Sequence, residues 1–582
     1  MANCDIASNG HTAYHCKCSS CTLGAWCKFV RVLGFVACDA DVASSPDCDV
    51  WYIVRIKYVT DRVRNTNYMP SINLEINWEA VRRRIWEILP GFLSWGTLIG
   101  LFGLGFILPF WIAIFVIAYD VYLLIRIVYM SIHLLYAYRR LKEYRLVNWI
   151  ERLSAEKDAA INWKKVHHVI VLPTYDESIH VLRTSIASYA KTDFPRERMH
   201  MVIGFEDRAG DSARKKAQTL KKEFGSSFHT FVTAFHPDGL PGEKRVKSAN
   251  ASWAMQEMEK KLKDQNIPEE MILVSNFDSD TVVSPEYFSY LTYVFVTHKD
   301  PYHASYQPIP VYNNNLWDAP SFSRVVAMGS TFWQMIESTR PERLVTFSSH
   351  SMTLKALHDV GYWQRDVISE DSRIFWQCLL RYDGKYQTVP LYTTVSMDAA
   401  LAPNWWQTLI NQYKQKRRWA WGIENFPYLV EGFLHNKRIS FQTKFTYLFR
   451  TLEGHYSWAT AAIIVAVLGW IPVLFGDPGF HQTFLSYSLP FITRTLMTIA
   501  MSGLIISATL TILLLPHRPQ HYSPWRYVLI ILQWALVPLI ATLLSAFPAL
   551  DAETRLMFGR DLNFNVMQKS RKHVTARGVE VL

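Results

Sequence analysis

The chain has 582 residues, half of which are apolar, and its formal net charge at pH 7 is +11. This length leaves room for several domains, and the positive charge suggests nucleic acid as one class of partner. The basic residues, however, cluster beside long apolar runs, where the cytoplasmic loops of membrane proteins carry Lys and Arg. Because no recognition helix or repeated zinc-finger spacing accompanies them, we expect a membrane protein and no nucleic-acid partner.

Residues 1–68 are rich in cysteine, since seven of the eight cysteines lie within the first 48 residues. Cys18 and Cys21 have the spacing of half a zinc site, but no regular four-ligand pattern completes it. We expect a disordered tail, or upstream sequence translated from a wrongly chosen start codon with Met69 as the alternative start. The order of charged, apolar and small residues that marks a cleaved signal peptide is not evident at the N-terminus.

Two regions, residues 79–140 and 455–548, are apolar enough to hold transmembrane helices. The first divides near Pro109 into spans at about 91–108 and 110–136. Positive charge on both outer flanks of this pair places the flanks in the cytoplasm. The second region predicts spans at about 457–475, 493–515 and 527–547.

The C-terminal spans leave two alternatives for the basic tail, residues 549–582. Three crossings from a cytoplasmic start put the tail outside, which opposes the rule for positive charge. Either residues 484–515 form two short spans, or one C-terminal segment is re-entrant. We favour a cytoplasmic tail in a multi-pass protein of the cytoplasmic (inner) membrane, with the central domain in the cytoplasm.

Residues 166–400 have the composition of a soluble domain. Strands and helices alternate through this region, which predicts a mostly parallel sheet with helices on both faces. Ligands of such sheets bind beyond the carboxyl ends of the strands. Five acidic residues fall at predicted strand ends, namely Asp176, Glu206, Asp207, Asp278 and Asp280.

Asp278 and Asp280 are the most suggestive of these, because a short apolar strand runs directly into them. Two close carboxylates repel each other unless a positive group lies between them. Hard oxygen ligands of this kind suit Mg²⁺ or Mn²⁺, and such an ion is usually shared with substrate phosphates. The alternative interpretation is an acidic turn that follows a strand and binds nothing.

Two further groups of residues complete the set of candidate sites. Glu370 and Asp371 open a predicted helix, a position where acidic residues also serve as caps. Residues 401–430 contain a basic amphipathic helix that we expect to lie in the membrane interface. This helix carries Gln415-Lys416-Arg417-Arg418-Trp419, and its basic side chains also suit lipid headgroups.

In this chain order, the acidic pairs and the Gln-x-x-Arg-Trp motif resemble the membrane-embedded glycosyltransferases of family 2, the group of cellulose, chitin and hyaluronan synthases. The resemblance covers roughly residues 75–570, and runs such as residues 305–315 look like uncharacterised bacterial members. The Gln-x-x-Arg-Trp motif is its most specific part, because Asp-x-Asp and Glu-Asp pairs are common. The family implies an α/β domain of the GT-A type, which binds nucleotide sugars, inserted between α-helical transmembrane segments.

The resemblance also implies a role for each candidate site. Asp371, with Glu370 beside it, would be the general base, and Asp278 and Asp280 would hold the metal. The residues that would contact the donor are Pro173, Tyr175, Glu177, Glu206, Asp207, Lys244, Lys247, Asp278, Gln415, Arg418 and Trp419.

The chemistry of glycosyl transfer calls for groups of these types. A departing diphosphate needs its growing negative charge neutralised, which a metal ion and the forked guanidinium of Arg418 can do. The acceptor hydroxyl must lose its proton as it attacks, and one positioned carboxylate can take that proton. A single base, without a covalent intermediate, predicts inversion at the sugar carbon. Trp419 offers an aromatic face on which a sugar ring can stack.

We therefore expect an inverting glycosyltransferase that depends on Mg²⁺ or Mn²⁺ and uses a UDP- or GDP-sugar donor. Its expected acceptor is a growing polysaccharide at the cytoplasmic face of the membrane, extended processively. The first alternative is a single-sugar transferase that makes a glycolipid from a lipid carrier. A rival of a different class is a catalytically inert membrane scaffold or transporter, which would not need Asp278, Asp280, Asp371 and Arg418 together.

Overall fold

A computed structural model describes residues 54–58 and 72–562 of the chain. The chain divides into two compact units, Met1–Arg82 and Arg83–Leu582. In the first unit, strands β1 (Val54–Tyr58) and β2 (Ile72–Ile76) pair in antiparallel orientation. The cysteines of the first 48 residues, the alternative start at Met69 and the last part of the basic tail lie outside the described residues.

Two long helices precede the sheet domain. Helix α1 (Trp78–Ile107) and helix α2 (Pro109–Arg145) meet at the predicted division near Pro109, and the short helix α3 (Trp149–Ala155) follows. Proline suits the start of α2 because the first turn of a helix leaves backbone N–H groups without partners in any case. Asn148 caps α3, since its side chain accepts a hydrogen bond from the backbone N–H of Glu151.

The sheet domain alternates strands with helices, as the sequence predicts. Its elements are β3 (His167–Pro173), α4 (Ile179–Ala190), β4 (Met199–Glu206), α5 (Gly210–Phe224), β5 (Thr230–His236), α6 (Lys247–Leu262), β6 (Ile272–Asn276), β7 (Val282–Val283), α7 (Tyr287–Thr297), β8 (Ala304–Val311), α8 (Ser321–Ser338), β9 (Ser351–Thr353), α9 (Leu354–Asp359), α10 (Glu370–Arg381) and β10 (Gln387–Ser396).

The strands β3 to β10 form one mixed sheet in the order β5-β4-β3-β6-β9-β8-β10-β7. Strands β5, β4, β3 and β6 run parallel to one another, and β10 runs parallel to β8. Strand β9 is antiparallel to both of its neighbours, and β7 is antiparallel to β10. The expectation of a mostly parallel sheet is corrected in this half, because strands of two and three residues are too short to show a period in the sequence.

Helices cover both faces of the sheet, as predicted for this α/β domain. The central strand β3 shows why its sequence is a continuous apolar run. Ile170 and Leu172 join the core that includes α4, α5 and α7, whereas Val169 and Val171 join the core that includes α6 and α10. Successive side chains of a strand point to opposite faces, so a strand buried on both sides is apolar at every position.

The C-terminal part of the chain is helical. Its helices are α11 (Trp405–Ala420), α12 (Asn425–His435), α13 (Phe441–Val467), α14 (Ile471–Phe475), α15 (Pro478–His481), α16 (Phe484–Met501), α17 (Gly503–Leu513), α18 (Arg526–Leu532), α19 (Val537–Ala541) and α20 (Phe547–Met557).

Five helical stretches of the described residues are long and apolar enough to cross a membrane, and they flank the sheet domain. They are Trp78–Ile107, Pro109–Arg145, Phe441–Phe475, Phe484–Leu513 and Arg526–Met557. The third begins well before the predicted residue 457, because its first turns pack against the sheet domain instead of entering an apolar layer. Tyr447 there stacks edge-on against Trp376 of α10, with ring centres 5.5 Å apart.

The last stretch, Arg526–Met557, is broken rather than straight. A 3₁₀ turn (Gln533–Leu536) and a π-helical turn (Thr542–Ala546) interrupt it, and each is followed by a helix with a proline in its first turn. At its start, Arg526 Nη2 donates to the carbonyl oxygen of Trp317 in the sheet domain over 2.9 Å. Near its end, Arg417 Nη1 of α11 donates to Asp551 Oδ2 over 2.8 Å. Both ends therefore contact the sheet domain or the helix that follows it.

Candidate active site

A cavity of about 780 Å³ begins at the carboxyl ends of β3, β4 and β6 and extends between α8, α11 and α13. Its wall brings together residues that are far apart in the chain. The predicted site residues on this wall are Pro173, Tyr175, Glu177, Glu206, Lys247, Asp278, Glu370, Asp371, Gln415, Arg418 and Trp419. Three other predicted residues, Asp207, Lys244 and Asp280, do not line the cavity.

The loop after β3 is held in place by its own side chains and by α6. Glu177 Oε2 accepts hydrogen bonds from the Thr174 hydroxyl over 2.6 Å and from the Tyr175 backbone N–H over 2.8 Å. Asn250 Nδ2 donates to the carbonyl oxygens of Thr174 and Gly204, so it ties the ends of β3 and β4 together. Glycine is needed at position 204, because a Cβ there would lie 2.4 Å from Asn250 Oδ1.

Tyr175 and Glu206 line the end of the cavity at the carboxyl ends of β3 and β4, where they place an aromatic ring beside a carboxylate. The guanidinium carbon of Arg208 lies 4.2 Å from the centre of the Tyr175 ring. Arg208 Nε also pairs with the Glu206 carboxylate, which holds the guanidinium in place. A planar cation over an aromatic ring is a surface on which a nucleotide base can stack.

Asp207 and Lys244 point away from the cavity into ion pairs of their own. Asp207 Oδ1 lies 2.8 Å from Arg214 Nη2 on α5, and Lys244 Nζ lies 3.0 Å from Asp561 Oδ2. Both pairs are substantially exposed to solvent, where an ion pair adds little stability.

Lys247, the first residue of α6, is buried among three carboxylates. Its ammonium nitrogen lies 2.6 Å from Asp278 Oδ1, 3.4 Å from Asp371 Oδ1 and 3.7 Å from Glu370 Oε1. Burial disfavours its charged form, but the attraction of the three carboxylates is stronger and raises the pKa of Lys247 above its ordinary value. The charged ammonium group therefore links the strand end at Asp278 to the start of α10.

Glu370 and Asp371 are neighbours with different surroundings. The Glu370 side chain is 4 % exposed, whereas the Asp371 side chain is 25 % exposed. Burial, and next the charge of Asp371, raise the pKa of Glu370 well above its ordinary value. Glu370 therefore favours its neutral form, and although both side chains line the cavity, Asp371 is the more exposed of the two.

The start of α10 is fixed by the segment that follows α11. Glu424 Oε1 accepts from the backbone N–H of Ser369 over 3.1 Å and from its hydroxyl over 2.6 Å. Ser369 thus gives its hydroxyl to Glu424 and does not cap the helix. Asp371 lies in the first turn of α10, where the positive end of the helix dipole stabilises a carboxylate. A stabilising position at the helix start and a role as general base are therefore compatible for this residue.

The two aspartates at the tip of β6 differ in access. Asp278 Oδ2 accepts from the Ser348 hydroxyl over 2.6 Å and stands on the cavity wall. Asp280 is fully buried, and its Oδ2 accepts from the backbone N–H of Asp398 over 2.7 Å. Among the residues that the structure describes, no group of three or more His, Cys, Asp or Glu residues is arranged to hold a metal.

This donor set fits a divalent ion that takes most of its ligands from a substrate. Carboxylate oxygens are the ligands that Mg²⁺ and Mn²⁺ prefer, and Mg²⁺ in particular is bound through one or two carboxylates together with phosphates. Asp278 provides such an oxygen at the cavity wall, and the ammonium group of Lys247 beside it shows that the site already attracts a cation.

Helix α11 presents Gln415, Arg418 and Trp419 to the cavity, because residues at positions i, i+3 and i+4 share one face of a helix. The Trp419 ring lies between Tyr312 and Phe347, with ring centres 5.9 and 6.0 Å away. Arg417 points to the opposite side, where it pairs with Asp551. The spacing Gln-x-x-Arg-Trp is therefore the spacing of one helical face.

Asp398, Lys416 and Trp458 are among the cavity residues that were not predicted as site residues. Asp398 lies two residues beyond the end of β10 and is a strand-end acid like Asp278, so the position of that strand end is the signal that could have found it. Lys416 Nζ lies 3.0 Å from the Ser330 hydroxyl and 4.6 Å from the centre of the Trp419 ring. Trp458 of α13 contributes a second ring, 5.7 Å from the same nitrogen, and no local signal marks it as a cavity residue.

Comparison with known proteins identifies the domain that carries these residues. Residues 273–550 match the family described as "Glycosyl transferase family group 2". The match covers just under half of the chain and includes Asp278, Asp371 and the Gln415–Trp419 motif. No curated protein matches the chain.

Several solved structures resemble the chain at low similarity. The mannosyltransferase PcManGT from Pyrobaculum calidifontis, in complex with GDP-Man and Mn²⁺, is 14% identical, with 73% of this chain and 99% of that chain covered and a TM-score of 0.34. S. aureus TarS 1-349 is 12% identical, with coverages of 71% and 100% and a TM-score of 0.31. GalNAc-T7 with UDP, GalNAc and Mn²⁺ is 9% identical, with coverages of 52% and 59% and a TM-score of 0.31. These scores are too low to add an argument.

The family match and the geometry lead to the same conclusion. The mixed α/β sheet has a cavity with charged residues at its strand ends, and it lies between apolar helices that are long enough to cross a membrane. Residues 273–550 thus match glycosyl transferase family group 2, and the protein is a glycosyltransferase.

Proposed function

We propose that the protein is an inverting, metal-dependent glycosyltransferase that adds sugars from a nucleotide-sugar donor to a growing polysaccharide, processively and at the cytoplasmic face of the membrane. The observation that carries the proposal is the single cavity, which joins the end lined by Tyr175 and Glu206 to the space between α8 and α13. Asp371 stands on its wall beside Lys247 and Asp278. A donor and an acceptor can therefore meet at one carboxylate.

The donor end supplies stacking and positive charge. The Tyr175 ring with Arg208 over it offers a platform for the base, and Lys247 and Arg418 bring positive charge to the diphosphate. A divalent ion held at Asp278, with Asp280 behind it, would supply further neutralisation of the leaving diphosphate.

Asp371 acts as the general base. Its carboxylate takes the proton of the acceptor hydroxyl while that oxygen attacks the sugar carbon, and the bond to the diphosphate breaks on the opposite side. The ammonium group of Lys247 lies 3.4 Å from Asp371 Oδ1, and the neighbouring Glu370, whose pKa is raised by burial, does not compete as a nucleophile. A single base without a covalent intermediate supports inversion.

The far end of the cavity fits a chain of sugars. It runs past the Trp419 and Trp458 rings and along Gly329 and Ser330 of α8. Aromatic rings beside small and polar residues suit sliding contacts with sugar rings. The positive charge on both flanks of the first two helices supports a cytoplasmic position for the domain, where nucleotide sugars are found.

A second candidate acceptor is a lipid carrier with an anionic headgroup, which would receive a single sugar. Lys416 favours this alternative, because it is buried at the far end of the cavity and pairs with no carboxylate of the described residues. Burial alone lowers the pKa of Lys416 to about 8, so a phosphate nearby would restore its full charge.

The experiment is donor turnover by the purified protein in detergent. UDP- and GDP-sugars are supplied with Mg²⁺ or Mn²⁺, and released nucleoside diphosphate is measured for the wild type and for Asp371→Asn. We expect release with one donor and a loss of about 100-fold or more in the variant, since general bases contribute that much. Asp264→Asn removes an exposed carboxylate of the same domain and should leave release unchanged.

Each outcome assigns the function differently. Release that persists in Asp371→Asn would remove that residue from the base role. Nucleoside diphosphate release that continues at the same rate in the presence of a metal chelator would show that the reaction needs no metal ion. Absence of release with every donor, in folded protein supplied with membrane lipids, would favour the inert scaffold. Polymer among the products supports the polysaccharide synthase, whereas a singly glycosylated lipid supports the second candidate.

A further inference from the structure

A second cavity, of about 580 Å³, lies between the start of α8, the start of α11 and the helix α18. It shares no lining residue with the active-site cavity. We call it the arginine cleft, because Arg324 and Arg526 both line it. Nothing in the glycosyl transfer proposed above uses this cleft.

The two arginines of the cleft lack acidic partners among the residues that the structure describes. Arg324 is 4 % exposed, and its guanidinium donates to Gln533 Oε1, to the Ala319 carbonyl oxygen and to the Ser321 hydroxyl. Arg526 donates to a backbone carbonyl oxygen. Burial, and next the like charge of Arg526, lower the pKa of Arg324 to about 10.

One acid, Asp318, also lines the cleft, but its carboxylate is engaged elsewhere. Asp318 Oδ1 accepts a hydrogen bond from the Tyr522 hydroxyl, and neither arginine lies within ion-pair distance of it in the described structure. The charged residues that line the cleft are Arg324, Arg526 and Asp318, so its lining has a net positive charge.

Two buried N–H donors of the cleft have no acceptor in the part of the chain that the structure describes. They are Arg526 Nε and Gln533 Nε2. The orientation of the Gln533 amide is determined by Arg324, which needs the oxygen, so the NH₂ group is left without a partner. A buried donor without an acceptor costs about 1–3 kcal/mol, and such groups in native proteins usually meet an ion, a water or a ligand.

The cleft also has an apolar part. Leu529, Leu532 and Leu536 belong to the same helical stretch as Arg526 and Gln533, line the cleft, and remain 58%, 61% and 39% exposed. Trp405 faces them from the start of α11 and is half exposed. They belong to, or adjoin, a stretch long enough to cross a membrane. A ligand of this cleft therefore needs an anionic end and an apolar end.

We propose that the arginine cleft binds a membrane lipid with an anionic phosphate headgroup. The phosphate oxygens accept hydrogen bonds from Arg526 Nε and Gln533 Nε2 and balance the charges of the two arginines. The acyl chains lie along Leu529, Leu532 and Leu536. The bound lipid joins α18 to the start of α11, the helix whose other end carries Gln415, Arg418 and Trp419.

The test is lipid retention by the full-length protein in detergent, measured by native mass spectrometry after incubation with equal amounts of phosphatidylglycerol and phosphatidylcholine. We expect the wild type to retain phosphatidylglycerol preferentially. Arg526→Gln should reduce this preference about tenfold, since it removes one charge-assisted hydrogen bond. Arg139→Gln removes an equally charged but 79 % exposed side chain near the end of α2 and should leave the preference unchanged.

A second variant separates loss of the ligand from loss of the fold. Gln533→Glu has the same shape and places a carboxylate beside Arg324, so it should fold and should abolish the preference. Inorganic phosphate added at millimolar concentration should not displace the lipid. Equal retention of both lipids by the wild type, unchanged retention by Arg526→Gln and Gln533→Glu, or full displacement by inorganic phosphate would each overturn the proposal. Donor turnover is not part of the readout, so the two proposals can fail separately.

Discussion

At the scale of single residues, the active site depends on one lysine and the carboxylates around it. Lys247 lies within 3.7 Å of three acidic side chains, and the nearest of them, Asp278, is 2.6 Å away. Close carboxylates repel one another, and the positive charge of Lys247 offsets the repulsion between Asp278 and Asp371. Glu370, deeper in the protein, relieves the remaining repulsion by favouring its neutral form.

This division of charge predicts different effects for two adjacent conservative substitutions. Glu370→Gln replaces a neutral acid by a neutral amide of the same shape, so we expect donor turnover within about threefold of the wild type. Asp371→Asn removes the proposed base and should cost about 100-fold or more. Initial rates of nucleoside diphosphate release, at saturating donor and acceptor, distinguish the two. A loss in Glu370→Gln as large as that in Asp371→Asn would show that both carboxylates are needed in their charged forms.

At the scale of elements, the short helix α9 is attached to the sheet domain through His358. Its Nε2 lies 2.9 Å from Glu259 of α6, and its Nδ1 lies 3.0 Å from Glu269. The hydrogen bond to Glu259, aided by Glu269, raises the pKa of His358 from 6.5 to about 9. The raised pKa means that protonation favours the folded state. The stabilisation is therefore complete below pH 6.5 and is lost as the pH rises through 9.

We expect His358→Gln to lower the apparent melting temperature at pH 6 and to have little effect above pH 9.5. The free energy involved is about 1 kcal/mol, because solvent screens this partly exposed site. Thermal unfolding of the wild type and the variant across this pH range measures it. His435→Gln, an exposed histidine on α12, is the control and should show no such pH dependence. A deficit that is constant with pH would indicate lost packing instead of lost charge.

At the scale of the whole molecule, the path of the broken stretch Arg526–Met557 determines on which side of the membrane the C-terminus lies. Its start contacts Trp317 of the sheet domain, and its end contacts α11 through Asp551 and the start of α1 through Arg84, which donates to the Leu556 carbonyl oxygen. We expect this stretch to be re-entrant, with both ends on one side of the membrane. Four crossings would then remain, which would agree with the charge rule for a basic C-terminal tail.

We therefore expect the C-terminus and the sheet domain to lie on the same side of the membrane. An epitope tag at the C-terminus of the full chain, expressed in a bacterial host, should resist proteinase added to spheroplasts. The same tag inserted between Gly476 and Thr483, in the turn between the third and fourth apolar stretches, should be cleaved. Cleavage of the C-terminal tag in intact spheroplasts would mean that Arg526–Met557 crosses the membrane.

The sequence alone determined the class of this protein, because its signals are local. Long apolar runs, the alternation of strands and helices, and the face of α11 that carries Gln415, Arg418 and Trp419 can each be recognised within a few helical turns or strand lengths. Strand-end carboxylates followed from the geometry of α/β sheets, which puts Glu206, Asp278 and the end of β3 at one edge. These signals were enough to predict the α/β domain, its position between apolar helices and a glycosyltransferase activity; the mechanism of transfer stays a prediction.

The tertiary structure decided which of the predicted site residues reach the cavity, because their hydrogen-bond and ion-pair partners are distant in sequence. Asp207 turns to Arg214, Lys244 to Asp561, and Asp280 to the backbone of Asp398. The antiparallel strand β9 and the broken stretch Arg526–Met557 were likewise beyond local inference. The pairing of a three-residue strand and the bending of an apolar helix depend on what packs against them, and a linear pattern does not contain that information.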